Sequence, residues 1–218
     1  MMDSPVRVLI ADDHEAIRAG LRAILSAEPD IEIVGEAADG EACVLNARAL
    51  RPDVVLMDVR MPRLDGIAAT EQIVRESLAQ VLVLTTFGLD EYVTGAIVAG
   101  AAGYLLKTTD GPSLIDAVHR VARGEGVLSP EVTRQVMSAA AAVRPAPTLE
   151  PPAEFGELTE REREILVGLG RGLSNIDLAR DFGVSEATVK SHVSRVLAKL
   201  NCRSRVQAAL LARDAGLV

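Results

Sequence analysis

Of five apolar runs in the first half of the chain, four end in side chains that can do chemistry. "VRVLIA" (6–11) runs into Asp12 and Asp13, "DVVLMD" (53–58) ends in Asp58, "VLVLTT" (81–86) ends in Thr85 and Thr86, and "GYLLK" (103–107) ends in Lys107. Carboxylates gathered at one place repel one another and are driven toward protonation unless a cation sits among them. A hard divalent ion such as Mg2+ is the natural partner for oxygen donors. A lysine adds a compact positive charge and a threonine a hydroxyl donor, both suited to a phosphoryl oxygen. Together these groups can carry out phosphoryl transfer with a carboxylate nucleophile, leaving an aspartyl phosphate. Taken singly, each has a structural reading: paired acids after a strand cap helices, a lone lysine is solvated, and "MPRLDG" is a turn before a helix. The joint placement on four run ends is what favours chemistry.

That placement requires a particular scaffold. The runs, with "IEIVGEA" (31–37) as the fifth, are rich in Val, Ile and Leu and read as buried strands. Between them lie residues at helical spacing, such as Ile17, Leu21, Ile24 and Leu25, or Leu114, Val118 and Val121. Gly100 and Gly124 stand where helices end in a left-handed residue. Strands alternating with helices predict a parallel sheet covered on both faces, with ligands beyond the carboxyl ends of its strands.

The second half is of another kind. Residues 1–139 hold 12 Lys/Arg against 21 Asp/Glu, whereas residues 158–218 hold 10 against 7, in a chain of net charge -8. Between them "SAAAAVRPAPTLEPPAEFGE" (138–157) has four prolines and an alanine run, the composition of a semi-extended tether. Thr159 with Glu162, and Ser174 with Asp177, are capping boxes, and Leu173 against Leu178 fits a hydrophobic staple. Ser185 starts a third helix after "FGVS", where Gly183 supplies the turn of a helix-turn-helix; a last helix spans about 204–215. On the third helix Val189, Val193, Val196, Leu197 and Leu200 form a core stripe. Lys190, Ser191, Ser194 and Arg195 fall on the opposite side, where phosphates and base edges of duplex DNA would be met. Aromatics are 2% of the chain, so stacking platforms for single strands are lacking.

Composition narrows the setting. The chain is 49% hydrophobic and 25% charged, as soluble domains are. No apolar run approaches a membrane span, and the N-terminus lacks a secretory pattern, so a cytoplasmic protein with no membrane partner is expected. Cys43 and Cys202 have no ligand-type spacing and read as reduced thiols.

Residues 6 to about 128, with "VLIADDH", "DVVLMDVRMPRLDG", "VLTT" and "GYLLK" in register, resemble the receiver domain of two-component response regulators. Residues 158–217, through "LTEREREIL", "GLSN", "VSEATVKSHVSRVLAKL" and "RVQA", resemble the LuxR-type helix-turn-helix, and the combination is similar to the NarL/FixJ family. The resemblance implies a flavodoxin-like, doubly wound, parallel five-stranded α/β receiver (1–128), a linker (129–157) and a small all-α DNA-binding domain (158–218). It implies that Asp58 is the phospho-acceptor. Asp12, Asp13, Asp58 and the carbonyl of Arg60 would hold Mg2+, Thr85 and Tyr104 would form a switch pair, and Lys107 would pair with the phosphate. Thr85 is preferred to Thr86 because its 22-residue interval to Lys107 matches the family spacing, with Thr86 kept as the alternative. Movement of Thr85 toward the phosphoryl group would free space for Tyr104 to turn inward. The family often has proline after the lysine, whereas here Thr108 follows Lys107. Lys190, Ser191 and Ser194 would face DNA, with Ser194 standing where some relatives carry a basic residue. The implied partners are a sensor histidine kinase, double-stranded promoter DNA, a second copy of the chain when phosphorylated, and RNA polymerase.

The resulting expectation is a transcription regulator and not an enzyme acting on external substrates. Two alternatives stand beside it: DNA binding independent of phosphorylation, and a phosphohydrolase working through an aspartyl phosphate. The adjacent Asp12–Asp13 pair differs from the D-x-D nucleophile motif of haloacid-dehalogenase phosphatases.

Overall fold

The computed structural model describes residues 4–86, 90–128 and 153–218. Strands β1 (Val6–Ala11), β2 (Ile31–Ala37), β3 (Val54–Asp58), β4 (Gln80–Thr85) and β5 (Gly103–Leu106) alternate with helices α1 (Glu15–Leu25), α2 (Gly40–Leu50), α3 (Gly66–Arg75), α4 (Asp90–Ala99) and α5 (Gly111–Ala122). All strand pairs are parallel, in the order β2-β1-β3-β4-β5, the doubly wound arrangement expected. A two-residue strand, β6 (Val127–Leu128), pairs with β5 and extends the edge. So short a strand carries no readable period.

Alternation along the strands divides the apolar residues between two cores. Val8, Ile10, Val54, Leu56, Leu82 and Leu84 pack with Leu25, Leu114, Val118 and Val121 from α1 and α5. Leu9, Val55, Met57, Val81 and Val83 pack with Cys43, Val44, Ala69, Ile73 and Ile97 from α2, α3 and α4. Because both faces are covered, the central strands are apolar throughout, and this makes them readable. Burial holds the Cys43 thiol up to about 12, so it stays protonated packing material.

The C-terminal half comprises α6 (Glu160–Gly170), α7 (Asn175–Phe182), α8 (Glu186–Lys199) and α9 (Arg205–Asp214). Both capping boxes are present, at Thr159–Glu162 and Ser174–Asp177, and Ser185 and Ser204 cap the next two helices through Thr188 and Gln207 N–H groups. Gly183 ends α7 in the left-handed region at φ 64°, which makes the tight turn into α8. The core of this half includes Ile165, Leu166, Leu178, Val189, Val193 and Val196, together with Phe155 from a 3-10 helix at Ala153–Glu157. That helix occupies the last residues of the expected tether, whose remainder lies outside the described residues. The buried Phe155 ring ties it to the domain that comes after it.

The halves touch along α9. Val206 is buried among the side chains of the α2–α4 face, with Leu210 packed against the same cluster. Gln207 Nε2 donates to the carbonyls of Ile97 and Val98 at 2.7 and 3.1 Å, and Arg203 pairs with Glu71 at 2.9 Å. Asn175 donates to the Arg123 carbonyl, and Arg205 donates to that of Gly124.

Candidate functional site

Strand order reverses at β1 and β3, and parallel strands leave a crevice at such a reversal. Asp12 and Asp13 leave the end of β1, and Asp58 ends β3 directly beside it. One ligand atom each from Asp12, Asp13, His14 and Asp58 lies within 4.8 Å of all the others, with Asp12 and Asp58 buried and the other two exposed. The pocket therefore has an acidic floor and an open mouth.

Lys107, carried by the end of β5, reaches across to Asp12 at 2.5 Å and to Asp58 at 3.0 Å. Its backbone N–H donates to the Thr85 carbonyl at 2.6 Å, which ties the ends of β4 and β5 together. Asp58 Oδ1 accepts the Val59 N–H at 2.8 Å. The pKa of Asp58 is raised, chiefly by burial; the hydrogen bond and charge of Lys107 oppose this, and the charge of Asp12 adds to it. Repulsion between carboxylates thus has the expected sign but comes after desolvation.

The loop after β3 depends on a close approach. A Cβ on Gly66 would fall 1.8 Å from the Asp58 carbonyl oxygen, and the Gly66 N–H donates to Val59 O at 2.8 Å. Asp65 caps α3 through the Ala68 N–H. "LDG" is therefore both a helix start and the clasp that holds the Asp58 loop. Arg60 lines a groove of about 440 Å³ with Asp13, Met61, Pro62 and Asp65, next to the acidic floor.

Thr85 is buried and Thr86 is exposed, so of the two only Thr85 belongs to the interior of the site. Tyr104 is 1% exposed and lies inside the α2–α4 cluster, where Ala96 and Ala101 are small neighbours in the same cluster. Burial raises its phenol pKa, and the neighbouring Thr85 side chain acts in the opposite direction. The ring is already inward here, whereas the expectation from sequence is that it turns inward only after Thr85 moves. No peptide bond among the described residues is cis, that after Lys107 included.

On α8, Val189, Val193 and Val196 are fully or nearly buried, while Lys190, Ser191, Ser194 and Arg195 are exposed. Lys190 pairs with Glu186 at 3.1 Å, and Ser194 donates to the Lys190 carbonyl of its own helix. Both partners lie one turn away on the same helix and Lys190 and Ser194 are themselves exposed, so both side chains can exchange them for DNA at little cost.

Three carboxylates around an open mouth are a fitting donor set for a hard divalent cation. Two groups escape sequence reasoning. His14 stands out there only as part of "VLIADDH", and its adjacency to the acids is the available signal. Asn175, Arg205 and Gln207, which join the halves, give none, because contacts between domains leave no periodicity.

Residues 8–119 match the family of response regulator receiver domains, and residues 156–212 match the bacterial regulatory proteins of the luxR family. The chain is 41% identical over 216 residues to the response regulator protein VraR of Staphylococcus aureus, covering 98% of this chain and 99% of that one. It is 40% identical over 219 residues to an uncharacterized transcriptional regulatory protein, YxjL, of Bacillus subtilis, covering all of both chains. Among solved structures, the response regulator ChrA of a heme-sensing two component system is similar at 39% identity and TM-score 0.56, covering 99% of this chain and 100% of that one. The receiver domain of NarL from Mycobacterium tuberculosis is similar at 35% identity and TM-score 0.55, over 56% of this chain and 99% of that one. Among the described residues no helix is long and apolar enough to cross a membrane. With a receiver and a LuxR-type DNA-binding domain both matched along it, and with VraR and ChrA covered over nearly their full lengths, the chain belongs to the two-component response regulators that control transcription.

Proposed function

We propose that Asp58 is the phosphorylated residue and that its phosphorylation promotes dimerisation and binding to promoter DNA in the cytoplasm. The observation that carries this reading is the convergence of Asp12, Asp13 and Asp58 at one crevice, with Lys107 bridging Asp12 and Asp58. An Asp58 carboxylate oxygen attacks the phosphorus of a phosphohistidine on the sensor kinase. The P–O bond forms as the P–N bond breaks, and the departing imidazole takes up a proton from solvent. Mg2+, held by Asp12, Asp13, Asp58 and the Arg60 carbonyl, would supply charge neutralisation for the phosphoryl oxygens. Lys107 then exchanges its carboxylate partners for phosphoryl oxygens, and the Thr85 hydroxyl donates to another. Lys190, Ser191, Ser194 and Arg195 meet DNA, and two linked modules supply the specificity that one short helix lacks. Contact with RNA polymerase belongs to the same reading, as does the absence of turnover on external phosphoesters.

The inward Tyr104 favours a second reading, in which DNA binding does not wait for phosphorylation. Incubation with acetyl phosphate and Mg2+, followed by intact-mass measurement, tests the first. One added phosphoryl group is expected in the wild type and none in Asp58→Ala, with tighter duplex binding only in the modified wild type. Equal DNA affinity before and after modification would establish the second reading instead.

A further inference from the structure

His14 is the member of the pocket's donor set that phosphoryl transfer leaves unused. It occupies the N-cap of α1, yet its side chain makes no capping hydrogen bond. Its backbone N–H donates to Asp12 Oδ1 at 2.9 Å, and the ring is turned toward the acids. Nδ1 stands 2.7 Å from Asp13 Oδ1 and 3.5 Å from Asp12 Oδ1. With a side-chain exposure of 67%, the ring is not wedged into that position by packing.

We propose that His14 Nδ1 is a ligand of the pocket's cation, so that the site is a mixed nitrogen and oxygen site. Such a site holds borderline divalent ions such as Co2+ and Ni2+ more tightly than Mg2+, with the harder Mn2+ between them. The proposal rests on the reading that this pocket binds a divalent cation. Ligands on opposite sides of one ion, each about 2.0–2.3 Å from it, lie about 4–4.6 Å apart, so four donors within 4.8 Å of one another can share an ion. Mg2+ prefers oxygen donors and keeps its waters, whereas imidazole favours the later first-row ions, with affinity rising from Mn2+ through Co2+ to Ni2+. The metal takes the place of a proton on Nδ1, and the two neighbouring carboxylates are then shared with the metal instead of with the ring N–H.

The test is calorimetric titration of the untagged full-length chain with Mg2+ and, separately, Ni2+, in the wild type, His14→Ala and Asp13→Asn. His14→Ala removes no capping bond and an exposed ring, so its fold should persist. The wild type should bind Ni2+ more tightly than Mg2+. His14→Ala should lose about tenfold or more in Ni2+ affinity while Mg2+ changes by less than about threefold. Asp13→Asn should weaken both. Pulsed electron paramagnetic resonance of bound Mn2+ should show a nitrogen coupling in the wild type that His14→Ala lacks. Equal losses for both metals would make His14 a prop for Asp13, and unchanged or improved binding would make it a salt-bridge partner. Retention of Ni2+ affinity in Asp13→Asn would put the nickel elsewhere, and each of these results overturns the proposal. A wild type that binds neither ion defeats the underlying reading of the pocket, whereas Mg2+ binding without His14-dependent selectivity defeats this inference alone.

Discussion

Asp58 is held between opposing influences: burial and Asp12 favour its neutral form, and Lys107 favours its charge. Removing the lysine should let the first pair prevail. In metal-free protein the side-chain 13C titration of Asp58 should have its midpoint above the ordinary value, and Lys107→Met should move it higher; a midpoint at or below the wild type's would refute the balance. The same balance sets the sign for stability. A raised carboxyl pKa means that the folded state holds the proton where the unfolded state has lost it, so Asp58 costs stability as pH rises from about 3.8 through its folded pKa. Bound Mg2+ should offset that cost, adding about 2.7 kcal/mol at 100 times its dissociation constant, and Asp13→Asn should shrink the thermal shift at the same Mg2+ concentration. A neighbouring residue shows why legibility is partial. Gly66 reads as a turn residue, but its need for close approach, 1.8 Å from a would-be Cβ to the Asp58 carbonyl, exists only once β3 and α3 are assembled. Gly66→Ala should cost about 1–3 kcal/mol in a denaturant titration and slow phosphorylation, because the backbone bearing Asp58 must shift.

Among the elements, those that carry both a start signal and a sustained apolar period are readable. Thr159, Ser174 and Ser185 start their helices in the structure as expected, and the strands coincide with their Val and Leu runs. Strand β6, two residues long, and the 3-10 helix around Phe155 lack both signals, and each exists only because a tertiary partner is there to receive it. The α6 cap also has a measurable charge signature. Glu162 accepts from Lys199 Nζ at 2.7 Å and from the Thr159 N–H at 2.9 Å, and these bonds lower its pKa to about 2. Because that pKa is depressed, the stabilisation is present above the ordinary glutamate pKa and is lost as pH falls toward about 2. Thermal melts of the full chain should show Glu162→Gln less stable than the wild type at pH 7, with the gap narrowing steadily below pH 4.5. A constant gap would assign the effect to packing. On α8, Lys190→Ala should weaken binding to a mixed-sequence duplex and flatten the log–log salt slope by about 0.9, one phosphate contact's worth. An unchanged slope would remove Lys190 from the phosphates.

At the scale of the whole molecule the charge contrast between halves invites an electrostatic explanation of their contact, but the interface contradicts it. Across the described residues Arg203–Glu71 is the ion pair within 4 Å between side chains of opposite halves, and both partners are more than 40% exposed, where such pairs contribute little; the attraction of Arg205 to Glu125 across the contact is opposed by Arg120. The contact is made instead by Val206 and Leu210 in an apolar cluster and by hydrogen bonds from Gln207, Asn175 and Arg205 to backbone carbonyls. Those carbonyls lie at the C-terminal ends of α4 and α5, where helices leave acceptors unused. Glycine permits the approach, since a Cβ on Gly100 would come within 2.8 Å of Arg203 Cβ and one on Gly126 within 3.0 Å of Val206 Cγ2. Such a contact should be insensitive to salt and sensitive to burying a charge. The radius of gyration from small-angle scattering should therefore hold steady between low and high salt in the wild type and increase in Val206→Asp, whose carboxylate would have to enter the cluster without a partner. Because Val206 sits on α9 and is none of the residues that build the phosphoryl pocket, the opened variant should still accept a phosphoryl group at Asp58. An increase in wild-type radius with salt, with no further change in Val206→Asp, would restore the electrostatic account.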